Sequence, residues 1–320
     1  MPVPTLDLTV LRFDLIVAED IVLPPYKGFA FRGVFGTVLH ELACVVPEEH
    51  CTNCPFRQTC TYAYLFETSP AEGVDGFRRF SNFPRPYIIH PPSGGKRHFR
   101  RYDPLQFECV LIGRGRETIP QVIATFDLIG QRGIRNGQGR YLIEKVTVNG
   151  DRQQQLTIYK RGRLSSSPVP HHSITLHPVP DQATTVTLSF QTPLLLEERG
   201  KIQYEPPRFS LLFEHLARRI MLLQALHGPD GVQPAQIDAL LLQAETIQTA
   251  STNLQWQSME RISNRQQARI KTGGLVGSIT YRGDLTPYIP YLRAGEQLHV
   301  GKSTTFGFGR YQLEQFQMNQ

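Results

Sequence analysis

The chain has no run of about 20 apolar residues of the kind that crosses a membrane. Its most apolar helical stretch, Phe209 to Leu226, is broken by Glu214, His215, Arg218 and Arg219. The first twenty residues also lack a basic start, an apolar core and a small-residue cleavage pattern, and alternate instead. These absences exclude a membrane span and a secretory signal, and they predict a soluble, cytoplasmic protein without a membrane partner. Acid is missing from residues 78–101, where seven Lys/Arg (Arg78, Arg79, Arg85, Lys96, Arg97, Arg100, Arg101) alternate with Phe77, Phe80, Phe83, Tyr87 and Phe99. It is scarce again over 261–310, where eight Lys/Arg face only Asp284 and Glu296, a surplus equal to the +6 of the whole chain. Cations neutralise phosphates and aromatic faces stack on unpaired bases, so the two patches point to nucleic acid rather than to a plain solvated surface.

With 320 residues, 40% of them hydrophobic, the chain can fill two cores. Leu6 to Val17 reads as a strand, and Gly28 to Cys44 as a helix with apolar residues at Phe31, Val34, Phe35, Val38, Leu39 and Leu42. A cysteine-rich insert (44–60) and a basic loop (70–104) follow. Leu105–Ile112 is then a strand, Ile119–Ile129 a helix and Gly139–Val148 a strand. Arg163 to Gln182, rich in Ser, Pro and His, reads as a linker. The second half repeats the order: strand Thr184–Thr192, helix Pro207–Leu226, strands near Leu254–Ile262 and Leu275–Tyr281, a short helix to Arg293 capped by Asp284 or Thr286, and a last strand Thr305–Phe316. The fold class is therefore α+β, with two tandem ferredoxin-like (RRM-like) domains over 1–165 and 183–320.

Gly301-Lys302-Ser303-Thr304 suggests a nucleotide-binding P-loop, but that motif needs a glycine at 296, where Glu296 stands. The following Thr305-Phe-Gly-Phe-Gly-Arg-Tyr311 is β-type sequence rather than a helix start, so nucleoside triphosphate binding is excluded. Its density of Gly and basic residues instead predicts a loop whose backbone approaches phosphates, with His299, Gly301, Lys302, Ser303, Thr304, Gly307, Gly309 and Arg310 as candidate RNA contacts. Arg261, Arg265, Arg97, Arg100 and Arg101 join them from the two basic patches.

Cys44, Cys51, Cys54 and Cys60 give C-x6-C-x2-C-x5-C. A cytosolic chain would not hold these as disulfides, and four thiols with a C-x2-C knuckle predict a closed structural Zn²⁺ site. An iron–sulfur cluster is the minor alternative, and no catalytic metal is expected. Cys109, alone in a strand, reads as a core thiol.

The segment Gly273-Gly-Leu-Val-Gly277, Tyr281-x-Gly-Asp284, Pro287 and Leu298-His-Val-Gly-Lys-Ser-Thr-Thr-Phe-Gly-Phe-Gly-Arg-Tyr311 resembles the C-terminal signature of CRISPR-associated pre-crRNA-processing endoribonucleases of the RAMP superfamily. Trp256-x3-Glu-Arg-Ile-Ser-Asn-Arg-Gln266, the helix with Arg218-Arg-Ile220, and Phe31-Arg-Gly-Val-Phe-Gly36 followed by clustered cysteines are similar to the same family. Many members lack the cysteine insert. The resemblance implies cleavage of CRISPR repeat RNA without metal, by 2′-hydroxyl attack giving a 2′,3′-cyclic phosphate and a 5′-hydroxyl, to yield mature guide RNA. The alternative is a non-catalytic RAMP subunit that binds crRNA in an effector complex. A monomer or homodimer is expected, with RNA and other CRISPR subunits as partners. Histidine suits the proton transfers, because its ordinary pKa lies near working pH. His40, on the first helix where family members carry an acid/base, is the first candidate, and Tyr26 could orient the RNA. His40 could equally be a ligand or neighbour of the cysteine metal, or an ordinary helix residue. His299 is the alternative catalytic histidine.

Overall fold

The computed structural model describes residues 5–70, 82–135, 137–149, 155–177, 182–228, 237–263 and 268–319, with side chains of 262–268 and 315–319 left aside. Arg265 and the start of the basic loop, including Arg78 and Arg79, lie outside the described residues. The chain divides into two compact units, one over Leu6–Ser173 with Leu226–Gly231, the other over Ile174–Ala225 and Val232–Gln320 with Met1–Thr5. Among the described residues, no helix is long and apolar enough to cross a membrane.

In the N-terminal unit, β1 (Thr5–Val17) is followed by α1 (Gly28–Ala43), α2 (Thr61–Phe66), β2 (Tyr87–His90), β3 (Pro104–Ile112), α3 (Ile119–Arg132), β4 (Tyr141–Asn149) and β5 (Gln155–Lys160). The antiparallel order β2-β3-β1-β4 is that of a ferredoxin-like sheet, and β5 extends it. Period-two alternation drives β1, which buries Leu6, Leu8, Leu11, Phe13, Leu15 and Val17. Phe35 of α1 stacks on Phe126 of α3 at 4.9 Å, and both helices meet the sheet at Phe107, 4.8 Å from Phe31 and 4.7 Å from Phe126 between centroids. The short β2, hidden from the sequence reading inside the basic loop, completes the motif. The segment expected to be a linker is partly ordered. Arg163–Leu164 pairs with β5, His172–Thr175 pairs with β1, and His171 sits 3.4 Å from Asp7.

The C-terminal unit runs β6 (Gln182–Leu194), α4 (Phe209–His227), α5 (Asp238–Ala244), β7 (Gln248–Thr252), β8 (Gln255–Ser263), β9 (Ala268–Arg282), α6 (Ile289–Leu298) and β10 (Tyr311–Asn319). Its order β7-β9-β6-β10 is the same ferredoxin-like arrangement. The fold is thus two tandem ferredoxin-like units, as the element order predicted. Two details differ. The strand expected at 254–262 is present as β8 and pairs with the first half of β9, while an additional strand, β7, pairs with the second half of β9. The last strand begins at Tyr311, because Thr304–Phe306 forms a 3-10 turn. Phe209, Phe213, Tyr281 and Tyr288 pack edge-to-face in the core of this unit.

Candidate functional site

The glycine-rich loop leaves the end of α6 and returns as β10. His299 caps the helix, donating its N–H to the Gly295 carbonyl at 2.8 Å with φ of 61°. Its ring is fully buried, with Nδ1 2.9 Å from the Phe308 carbonyl oxygen. The imidazole named as an RNA contact and as the alternative catalytic histidine thus lies inside the loop, which it shapes from within. Gly307 and Gly309 are buried too, and so is Thr304. Gly309 has φ of 71°, and a Cβ there would lie 1.8 Å from the Val300 carbonyl oxygen. These three residues set the loop's path from its inner side.

Many of the loop's amides already have acceptors. Lys302 donates to Leu195 O at 2.8 Å, Gly309 to Pro193 O at 2.8 Å and Val300 to Gly309 O at 3.1 Å. The Arg310 amide donates to the Thr192 hydroxyl at 2.9 Å, and that hydroxyl donates to Gly307 O at 2.7 Å. Gly301, Lys302, Ser303 and Arg310 remain at the surface. The Lys302 ammonium is paired with Glu197, so an incoming phosphate must compete with a carboxylate. Arg261 of β8 reaches the same loop, its guanidinium 5.5 Å from the Phe306 ring centre. The structure thus brings Arg261 and Lys302 of the candidate set onto one loop.

Arg219 of α4, read in the sequence only as part of a similar helix, supports this loop from beneath. It is buried, and its Nε donates to the Leu298 carbonyl at 2.8 Å. Burial pushes its pKa down to about 9, still high enough to keep the cation at neutral pH. Arg219→Ala is expected to lower unfolding free energy by about 2–4 kcal/mol, through the lost hydrogen bond and packing. Arg219→Met keeps the stem without a desolvated charge and should cost much less. Equal losses for the two variants in denaturant unfolding would contradict this account.

In the N-terminal unit, His40 lies half-buried in the last turns of α1, edge-on to Tyr62 with ring centres 4.6 Å apart. Tyr26 precedes α1 and packs its ring 5.0 Å from Phe29; burial raises its pKa, so the phenol stays protonated. The twelve residues from Gly28 to His40 span about 18 Å of helix axis. Tyr26 and His40 therefore stand at opposite ends of α1. Lys27, passed over in the sequence, is buried beside Tyr26, with Nζ 2.5 Å from Gly94 O. Burial, and then the charge of Arg97, lowers its pKa. Arg97 itself donates to Leu23 O at 3.0 Å, so Lys27 and Arg97 gather near the first turn of α1, where helix amides favour anions. The signal for Lys27 was its place at the start of an amphipathic helix facing a basic loop. Arg100 and Arg101 use their backbone amides on Asp103 and Asp20, which leaves their side chains out of those bonds.

The four clustered thiols line one pocket together with His40, Tyr62, Phe56 and Arg57. Cys44 caps α1, its N–H donating to His40 O at 2.8 Å. Burial raises the Cys51 pKa, followed by the charges of Glu67, Cys60, Cys44 and Cys54. Among the described residues, no three Cys, His, Asp or Glu side chains already stand in an arrangement that would hold a metal ion. Cys109 is fully buried, which pushes its thiol up to about 12.

Residues 6–173 match the family model of the AF_1859_N N-terminal domain, and residues 188–311 match that of the CRISPR-associated endoribonuclease Cas6. The N-terminal unit is thus an AF_1859_N-type domain, and the C-terminal unit carries the Cas6 match. The Cas6 match runs from the middle of β6 to the start of β10, and so contains the whole glycine-rich loop. An uncharacterized protein of Archaeoglobus fulgidus is 28% identical over 144 residues, a match covering 45% of this chain and 47% of that protein, so the alignment spans less than half of the curated relative. Among solved structures, the product complex of Cas6 (TTHB231) of Thermus thermophilus is similar, with TM-score 0.55 and 16% identity over 96% of this chain and 99% of that one. A partial Cas6-RT-Cas1–Cas2 complex gives TM-score 0.56 and 15% identity, covering 97% of this chain and 46% of that one. At these identities the likeness is one of fold, and it extends over both ferredoxin-like units.

Proposed function

We propose that this chain, whose residues 188–311 match the Cas6 model, is a metal-independent endoribonuclease that cuts CRISPR repeat RNA in precursor transcripts. The observation that carries the reading is the pre-shaped glycine-rich loop with Lys302, Arg310 and Arg261 at its surface, inside the segment that matches Cas6. In the reaction the 2′-oxygen forms a bond to the adjacent phosphorus while the bond from phosphorus to the 5′-oxygen breaks. One proton leaves the 2′-hydroxyl and one joins the 5′-oxygen, giving a 2′,3′-cyclic phosphate and a 5′-hydroxyl. His40 is the proposed proton carrier, Lys302 and Arg310 counter phosphate charge, and the protonated Tyr26 phenol donates a hydrogen bond that orients the strand. Incubation of the purified protein with repeat RNA in EDTA should give one specific cut and a cyclic-phosphate end. Binding without a cut would overturn the reading and favour a crRNA-binding subunit instead. CRISPR RNA is the proposed partner, together with other CRISPR effector subunits.

The thiol pocket suits a separate, structural role. Zn²⁺ would draw Cys44, Cys51, Cys54 and Cys60 into one tetrahedral shell and so tie the loop after α1 to its last turn. Backbone bonds from Asn53 N to His50 O (2.9 Å) and from Arg57 N to Cys54 O (3.0 Å) already turn the chain around the C-x2-C knuckle. Metal analysis of protein purified without chelator should find about one zinc per chain. Chelation should lower the melting temperature in a manner restored by zinc. Iron in its place would point to a cluster, and neither metal would remove the proposal.

A further inference from the structure

Trp256, the sole tryptophan of the chain, stands on β8 with its ring 4.4 Å from that of Tyr204, tilted by 54°. Tyr204 is 58% exposed and Trp256 half-buried, so the pair is not part of the unit's core. The β8–β9 register places Ser258 opposite Gly273 and Glu260 opposite Lys271. Strand alternation then puts Trp256, Ser258, Gly273 and Lys271 on one face, and Arg261 with the glycine-rich loop on the other. Gly273 is what lets the indole lie against the strand: a Cβ there would stand 3.0 Å from Trp256 Cε2 and Cζ2 and 2.4 Å from Gln257 O. The sheet therefore gives up a side chain to seat a large aromatic at its edge, next to a tyrosine left in water. Lys271, opposite Glu260, and Arg269 are exposed on the β8–β9 hairpin, while exposed Lys201 lies three residues before Tyr204 on a short ribbon, opposite Glu198.

We infer that Tyr204 and Trp256 form a stacking platform for the bases of single-stranded RNA, a second contact beside the glycine-rich loop. The inference rests on the endoribonuclease reading for its ligand, and it specifies which part of the RNA is held here. A solvated aromatic pair next to cations matches unpaired bases: the ring faces take the bases, and Lys201 and Lys271 take the phosphates between them. Such stacking tolerates any sequence, because every base offers a π-face.

The single tryptophan makes the test direct. Titration with a polyadenylate oligonucleotide at low salt should quench Trp256 emission, whereas heparin, a polyanion without bases, should bind without that quenching. Tyr204→Ala, at an exposed position, should weaken polyadenylate binding by about 5- to 150-fold, the effect of losing one stacking contact. Trp256→Phe keeps an aromatic surface and should weaken it less. Unchanged emission while filter retention reports bound RNA would overturn the platform, as would equal quenching by heparin or an unaltered affinity in Tyr204→Ala. Failure to bind polyadenylate at all would do the same. None of these outcomes touches the cutting of repeat RNA, which is scored separately and stands or falls with the endoribonuclease reading.

Discussion

Replacing His40 with alanine is expected to slow cleavage of repeat RNA by about 10²- to 10⁴-fold while leaving RNA affinity unchanged. A lost proton carrier removes stabilisation of the transition state alone, so the loss falls on the cleavage rate rather than on binding. The ring also packs edge-on against Tyr62 and lines the thiol pocket, so the variant could act indirectly. Two further measurements separate the causes. Removing an edge-to-face pair costs about 0.5–1.5 kcal/mol, a small shift in melting temperature and far less than the loss in rate. If His40 instead served the metal, zinc content would fall together with activity; a catalytic His40 leaves zinc content at its wild-type value. A substrate with 2′-deoxy sugar at the scissile nucleotide should resist the wild-type enzyme altogether, since its attacking oxygen is gone. Unchanged cutting of that RNA would sink the mechanism, whatever His40 does.

Gly309→Ala should be among the most damaging single-methyl changes in the chain. At φ of 71° an L side chain is strained by about 1–2 kcal/mol. The new Cβ would also stand 1.8 Å from the Val300 carbonyl oxygen, a backbone atom that cannot swing aside. That crowding adds about 1–3 kcal/mol, for a total near 2–5 kcal/mol and a melting temperature lower by roughly 5–15 °C. Gly33→Ala makes the control. It lies within α1, where a Cβ meets nothing within 4 Å, so alanine should be neutral or add about 0.5–1 kcal/mol. Thermal melts of the two proteins should move in opposite directions or differ by the full crowding cost; similar melts would refute the account of Gly309.

The two helices that carry most of the fold were readable because their apolar residues recur with helical period: Phe31, Phe35, Val38 and Leu39 in α1, and Leu212, Leu216 and Leu223 in α4 all prove buried. β1 was readable for the matching reason at period two. β2 and β7 were not. Tyr87–His90 is buried and short within a Pro-rich basic stretch, while all of Gln248–Thr252 is exposed and carries no apolar alternation. The loop's sequence revealed its glycines and cations but not which of them face outward. Burial of His299 depends on the Phe308 carbonyl, nine residues away, and the pairing of Lys302 depends on Glu197, more than a hundred residues away. Such long-range partners leave no local pattern. The clustering of the cysteines was evident from spacing alone, and so was their likeness to a knuckle. Their sharing of a pocket with His40 follows from α1 ending at Cys44.

The inward bonding of the glycine-rich loop has a thermodynamic consequence. With the amides of Val300, Lys302 and Gly309 already satisfied, the entropy of ordering those residues is spent when the unit folds and not when a ligand arrives. Recognition by such a loop is rigid docking, and its heat-capacity change should report only the surface it buries. A substitution that unlocks the loop converts docking into coupled folding and binding, and the whole ordering free energy is then subtracted from affinity. Loop variants would thus share one thermodynamic signature, whichever residue was changed.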